Sequence, residues 1–234
     1  AAKTPHYLNT NLFNGLHGRS LPVATGIKLT NPDLTVIVES GDGCSYGEGG
    51  NHFLAAIRRN IGITLLVHNN QIYGLTKGQA SPTTGKDLTT KAQPRGVLST
   101  PFNPISVAVT MRAGFVARAF SGMVDHLSDL ISQAIVHQGF SLIDILQPCV
   151  SFNKVNTFAW YKRRCKPLSS DYDPTDWEEA LKVACQWGDN IPVGIIYKNE
   201  NVPFEKHFHF LDKGVLVRQK TDPILIRKMM ESYS

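Results

Sequence analysis

A chain of 234 residues, 42% hydrophobic and 18% charged, is long enough to bury the core of one α/β domain. No apolar run nears the roughly 18 residues of a membrane span and no charged-then-apolar leader opens the sequence, which predicts a cytoplasmic protein. The formal charge of +5 is scattered except at Tyr161-Lys162-Arg163-Arg164; that argues against nucleic acid and leaves an acidic protein partner or a phosphorylated ligand.

Arg19 to Lys28 reads as a helix ahead of the first strand. LTVIV (34–38) is a β-branched run before a glycine turn and reads as a buried strand. Gly49 to Asn60 places apolar residues at 53, 54 and 57, one face of a helix. GITLLVHNN (62–70) reads as a second strand, FVARAF (115–120) as a third and SLIDIL (141–146) as a fourth. Residues 71–103 are polar and rich in Gly, Pro and Thr, and loops of that length in a compact domain are usually functional. Val124 to His137 carries Leu127, Leu130, Ile131 and Ile135 at helical spacing, with Asp125 in its first turn. After Thr157 to Lys162, with its three aromatics, Thr175 or Asp176 can cap a helix that runs to about Trp187. The last thirty residues read as an extended arm.

The expected organisation is an α/β core over 1–150, an aromatic segment and helix packing on it over 151–200, and an arm over 201–234. Strands alternating with helices predict a doubly wound, mostly parallel sheet with helices on both faces. Ligands in such sheets sit at the carboxyl ends of strands, where Gly41-Asp42-Gly43 and Asn69-Asn70-Gln71 fall. Cys44, Cys149, Cys165 and Cys185 form no C-x-x-C pair, so a disulfide framework is not expected. Cys165 and Cys185 read as small buried hydrophobes.

Asp42 between two glycines has two readings, a tight turn or a bed for a phosphate and a metal. Glycines let the backbone approach a ligand closely, and a helix beginning near Glu48 would aim its amides at the same place. A carboxylate facing a phosphate is repulsive unless a cation lies between, which points to a hard ion such as Mg²⁺ or Ca²⁺. Asn70 follows Asp42 by 28 residues, room for one helix and one returning strand. The Asn70 side chain and the Ile72 carbonyl would complete half of an octahedron with Asp42.

GDG, about 28 residues and then NN resembles the thiamine-diphosphate motif. HGR at 17–19, LPVATGIKL at 21–29, GGNHFLAAIRRN at 49–60 and NNQIYGLTKGQASPTT at 69–84 resemble the β subunits of 2-oxoacid:ferredoxin oxidoreductases. LQPC at 146–149 and NTFAWYKRR at 156–164 fit the same family, and the resemblance covers roughly residues 3 to 200. It implies the thiamine-diphosphate-binding fold and the coenzyme A-dependent oxidative decarboxylation of a 2-oxoacid, pyruvate or 2-oxoglutarate, with electrons passed through a [4Fe–4S] cluster to ferredoxin. It makes Asp42, Asn70 and Ile72 the Mg²⁺ ligands. Gly43, Cys44, Gly74 and Leu75 would contact the diphosphate largely through backbone, with a hydroxyl from Thr76. His17 would stand close to the cofactor, and Lys77 would face a carboxylate or phosphate of substrate or coenzyme A.

Cys149 resembles the fourth ligand of the cluster. The family's other three cysteines precede the segment that starts Ala1-Ala2-Lys3, so the resemblance implies thiols supplied from upstream or from a partner chain. Asp or Ala is commoner in the family than Cys44 after GDG. An α subunit, with γ and δ subunits or fused domains as further possibilities, is expected to grip the other end of the cofactor. Two other readings stand beside this one: a non-oxidative thiamine-diphosphate enzyme component, and a non-catalytic subunit that keeps the fold without a cluster.

Overall fold

The computed structural model describes residues 4–233. Its strands are β1 (Ile37–Gly41), β2 (Thr64–Asn69), β3 (Phe115–Phe120), β4 (Ser141–Leu146), β5 (Cys165–Pro167) and β6 (Ile191–Lys198). They form one sheet in the order β1-β2-β4-β3-β6-β5. Every described pairing is parallel except β3 with β6. The sheet is therefore mostly parallel, as the alternation of apolar runs predicts. β3 and β4 match their expected bounds and are buried along their whole length, which is why both read as continuous apolar runs rather than alternations. The first strand starts later than expected, at Ile37 instead of Leu34, because the chain spends 31–36 descending from the preceding helix.

Two strands were not legible in advance. β5 has only three residues. β6 contains Pro192 and Gly194, which read as breakers. The register against β3 shifts between Val116 and Ala117, which leaves Ile196 as the extra residue of a bulge, and Gly194, at φ +139°, pairs with Arg118 two residues before it. Residues 151–200 thus contribute two of the six strands.

Helices α1 (Ser20–Thr30), α2 (Gly50–Arg59), α3 (Pro104–Thr110) and α6 (Trp177–Ala184) cover one face. There Leu21, Phe53, Ile57, Ile105 and Val183 meet Val38, Leu65, Val67 and Val116. Helix α4 (Val124–Val136) covers the other face, setting Leu130 and Ala134 on Phe115, Ala117, Ile143 and Ile145. Each Leu, Ile, Val or Phe among them contributes about 1.5–3 kcal/mol when fully buried. A third cluster joins Tyr161 of α5 (Phe158–Arg164) to Phe120, Leu146, Cys165 and Ile191. α6 starts at Asp176, whose carboxylate accepts from the amides of Glu178 and Glu179. α3 was missed, although Asn103 caps it and Pro104 opens it.

Between Asn70 and Asn103 the described chain holds no helix or strand; its turns are pinned by one antiparallel bridge, Tyr73 with Gln79. The C-terminal residues do not run extended. They fold into short 3₁₀ turns and the exposed helix α7 (Pro223–Glu231). Cys165 is buried as expected, but Cys185 is exposed, because it follows the last turn of α6 on the solvent side. Among the described residues no helix is long and apolar enough to cross a membrane.

Candidate functional site

The parallel register sets Gly41 against His68 and Asn69 against Leu146, so β1, β2 and β4 finish at the same end of the sheet. The amide of Gln147 donates to the Asn69 carbonyl at 2.9 Å and ties the exits of β2 and β4 together. Asp42, Asn70 and Cys149 thereby lie just beyond neighbouring strand ends, where the sequence reading puts a ligand.

Asp42 is 2% exposed. Its Oδ2 accepts from Ser81 Oγ at 2.5 Å and Thr83 Oγ1 at 2.7 Å. Burial pushes its carboxyl above the ordinary value, and these donors, with the amide of Gly43, only partly offset that. A carboxylate in this state is poised for a cation, which would reverse the shift. From Asp42 the chain enters a π-helical turn over Gly43–Glu48 and then α2. The ring of Tyr73 packs where a Cβ on Gly43 would stand.

Gly49 closes that turn, its amide donating to the Cys44 carbonyl at 2.9 Å. A Cβ there would collide with the same carbonyl and lie 3.2 Å from that of Gly18. Gly49→Ala is therefore expected to destabilise the fold by about 1–3 kcal/mol and to weaken any ligand bound over the turn, since backbone cannot swing aside. Thermal unfolding of the variant beside a ligand titration reads both effects.

After β2, Gln71 takes a left-handed conformation at φ +58°. Its side chain bridges the Thr83 carbonyl and the Tyr161 hydroxyl, and its own carbonyl accepts from Thr84 at 2.6 Å. This clamp aims the next residues away from the strand. Asn70 is half-buried, and its Oδ1 accepts from the Ile72 amide at 3.1 Å. Ile72 is buried. Asp42, the Asn70 amide oxygen and the Ile72 carbonyl are all hard oxygen donors, the set a Mg²⁺ or Ca²⁺ ion takes.

Gly74, Leu75, Thr76 and Lys77 form the tip of a tight turn. The Lys77 amide donates to the Gly74 carbonyl at 3.1 Å, and that of Gly78 to Tyr73 at 2.8 Å. Leu75 is 89% exposed, and Lys77 is exposed with φ +75°. Thr76 already donates its hydroxyl proton to Gln79. His17 is exposed and reaches Glu48 Oε2 at 2.8 Å, and Tyr73 donates to the same oxygen at 2.9 Å. Burial raises the Glu48 carboxyl, but its backbone, His17 and Tyr73 hydrogen bonds outweigh that and hold it below the ordinary value. Cys44 is half-buried, and its sulfur accepts from the Gly18 amide at 3.1 Å, joining the HGR segment to the same turn.

Cys149 is half-buried beyond β4. No three His, Cys, Asp or Glu side chains converge on a point that could hold a metal ion among the described residues. A [4Fe–4S] cluster needs four ligands, so the described residues do not themselves fit one.

Sequence reasoning left Ser81, Thr83, Asn69, Tyr46 and Asp144 without roles. Asn69 Nδ2 donates to both oxygens of Asp144, at 3.2 and 3.1 Å, and Tyr46 donates to Asp144 Oδ1 at 2.9 Å. Asn69 Oδ1 in turn faces Thr83 Oγ1 at 2.9 Å. The available signal was the charge inside each of two apolar strands, Arg118 in FVARAF and Asp144 in SLIDIL, which the register sets directly opposite one another.

Comparison with known proteins bears on this arrangement. The family described as "Thiamine pyrophosphate enzyme, C-terminal TPP binding domain" matches residues 1–145, and the family of the C-terminal part of the pyruvate ferredoxin oxidoreductase beta chain matches residues 149–213. A 2-oxoacid:ferredoxin oxidoreductase subunit beta from Sulfolobus sp is 44% identical over 216 residues, 87% of this chain and 71% of that one. The subunit beta of 2-oxoacid:ferredoxin oxidoreductase 1 from Aeropyrum pernix is 47% identical over 210 residues, 85% of this chain and 66% of its own length. A solved 2-oxoglutarate:ferredoxin oxidoreductase from Magnetococcus marinus, with 2-oxoglutarate, coenzyme A and succinyl-CoA bound, superposes with a TM-score of 0.90 at 32% identity, over 97% of this chain and 78% of that one. Identity at this level, spread across both the strand ends that carry the site and the segment beyond them, means that the chain belongs to the β subunits of the 2-oxoacid:ferredoxin oxidoreductases.

Proposed function

We propose that this β subunit holds the diphosphate end of thiamine diphosphate through Mg²⁺, within a cytoplasmic complex whose α subunit holds the other end. The complex converts a 2-oxoacid and coenzyme A to acyl-CoA and CO₂, with ferredoxin as electron acceptor. The observation that carries the reading is a buried carboxylate, Asp42, one residue beyond β1, with a second oxygen side chain, Asn70, one residue beyond its parallel neighbour β2. Bound thiamine diphosphate supplies the electron sink that decarboxylation requires.

In this reading Asp42, Asn70 and the Ile72 carbonyl bind the ion. The amides of Gly43, Cys44, Gly74 and Leu75 face the diphosphate. Thr76 adds its hydroxyl once it turns from Gln79. Glu48 fixes His17 beside the cofactor. Lys77, at the exposed tip of its turn, offers a cation to a carboxylate or phosphate of 2-oxoacid or coenzyme A. In this reading Cys149 gives one thiolate to a cluster, and the remaining thiolates would come from outside the described residues.

Anaerobic reduction of a viologen dye by the natively purified complex, across a panel of 2-oxoacids with and without coenzyme A, tests this. Reduction that depends on both is the expected result, and the preferred acid names the substrate. No reduction despite bound thiamine diphosphate would favour a non-oxidative enzyme.

A further inference from the structure

We infer that Asp144 is a positioning residue for the metal loop: through Asn69 it holds an amide oxygen in competition with Asp42 for the Thr83 hydroxyl proton and so keeps Asp42 rich enough in charge to bind the ion. The inference rests on the reading of Asp42 as a Mg²⁺ ligand.

The groups concerned are almost sealed from water. Asp144, Asn69, Thr83 and Asp42 are all 2–3% exposed, so no solvent substitutes for a lost partner. An ionised carboxylate only accepts hydrogen bonds. Asp144 therefore obliges Asn69 to turn its NH₂ toward it, as the two Nδ2 contacts show. The Asn69 oxygen then points the other way, to the Gln71 amide at 3.3 Å and Thr83 Oγ1 at 2.9 Å.

Thr83 has one hydroxyl proton and three oxygens within reach: Asp42 Oδ2 at 2.7 Å, Asn69 Oδ1 at 2.9 Å and, more distant, Ser81 Oγ at 3.3 Å. While Asn69 shows its oxygen, it competes for that proton, and Asp42 receives the Ser81 donation in full but shares that of Thr83. Were the amide reversed, its NH₂ would donate to Thr83, and the hydroxyl proton would be committed to Asp42. That carboxylate would then be better satisfied without a metal and a poorer ligand. The partners that orient a metal's ligands commonly tune its affinity ten- to a hundredfold.

The test uses the whole complex, stripped of cofactor with EDTA, and titrates MgCl₂ in the presence of thiamine diphosphate with calorimetric detection of binding. Asp144→Asn is expected to raise the half-saturating Mg²⁺ concentration about ten- to a hundredfold. Thr83→Val, which removes the contested proton, is expected to stay within about threefold of the parent. The decisive sample is Asp144→Asn combined with Thr83→Val: the Mg²⁺ requirement returns most of the way, because a reversed Asn69 no longer has a hydroxyl to redirect. A merely structural role for Asp144 predicts losses that add.

Should Asp144→Asn fail to assemble, Asn69→Ala follows the same logic, since it also leaves Thr83 to donate only to Asp42. An unchanged Mg²⁺ requirement in Asn69→Ala, or losses that add when Asp144→Asn is combined with Thr83→Val, would overturn the inference. Asp42→Ala separates this from the site reading. If it binds cofactor with the parent's Mg²⁺ dependence, the metal site itself is misplaced. If it abolishes that dependence while Asn69→Ala does not move it, only the positioning role falls.

Discussion

Asp42→Ala is expected to weaken Mg²⁺-dependent binding of thiamine diphosphate by at least about a hundredfold, close to 3 kcal/mol. The ion would lose the only carboxylate among its three proposed donors, and the diphosphate would lose the bridge that makes an acidic strand end compatible with an anion. Asp42→Asn separates charge from shape. Ser81 and Thr83 can still donate to an amide oxygen in the same place, so the loop should hold while metal binding falls. The cofactor-free protein gives a second readout. The folded pKa of Asp42 is raised, so between the ordinary carboxylate range and that raised value the folded state binds more protons than the unfolded one. Stability from this group therefore falls as pH rises through that window. At neutral pH Asp42→Asn removes the penalty, and its stripped form should melt no lower than the parent. Mg²⁺ titration of the stripped complex and a melting series without ligand check the two halves.

The legible part of this site is the part built from local pattern. Continuous apolar runs located β3 and β4, and Gly-Asp-Gly after a β-branched run located the first strand's end within a few residues. What escaped depends on contacts far apart in sequence. Thr83 and Ser81 reach Asp42 across about forty positions, and Tyr46 reaches Asp144 across 98. No periodicity encodes such pairings; they follow from which strands the crossovers make neighbours. β6 escaped because Pro192 and Gly194 look like breakers until their pairing with Lys166 and Arg118 is seen. The charges in FVARAF and SLIDIL were visible throughout. Opposite charges inside two fully apolar strands are costly unless they face each other, so their presence already argued for β3 beside β4.

Arg118→Met should be the most damaging single change in the core, destabilising the fold by about 3–5 kcal/mol. Arg118 is 2% exposed. Its guanidinium donates to the carbonyls of Ala184 at 3.0 Å, Gln186 at 3.4 Å and Pro192 at 3.3 Å, fastening the end of α6 and the start of β6 to β3. Burial raises the Asp144 carboxyl to about 6 even though Asn69, Tyr46 and the Arg118 charge hold it down. Methionine would fill the space but leave three carbonyls without that donor and Asp144 without its counter-charge. At about 2–4 °C per kcal/mol for a chain of this size, the melting temperature should fall by roughly 6–20 °C. Adding Asp144→Asn to Arg118→Met removes the stranded charge, so the double variant should melt higher than Arg118→Met alone; a lower value would mean that the lost carbonyl contacts dominate. The same substitution has a functional signature. Without the arginine the Asp144 pKa moves further up, the carboxyl becomes protonated near neutral pH, and Asn69 loses the reason to hold its NH₂ toward β4. The Mg²⁺ requirement of the Arg118→Met complex should therefore rise as the pH is lowered from 8 toward 6 more steeply than in the parent, a difference that global destabilisation alone does not produce in a complex still folded across that range.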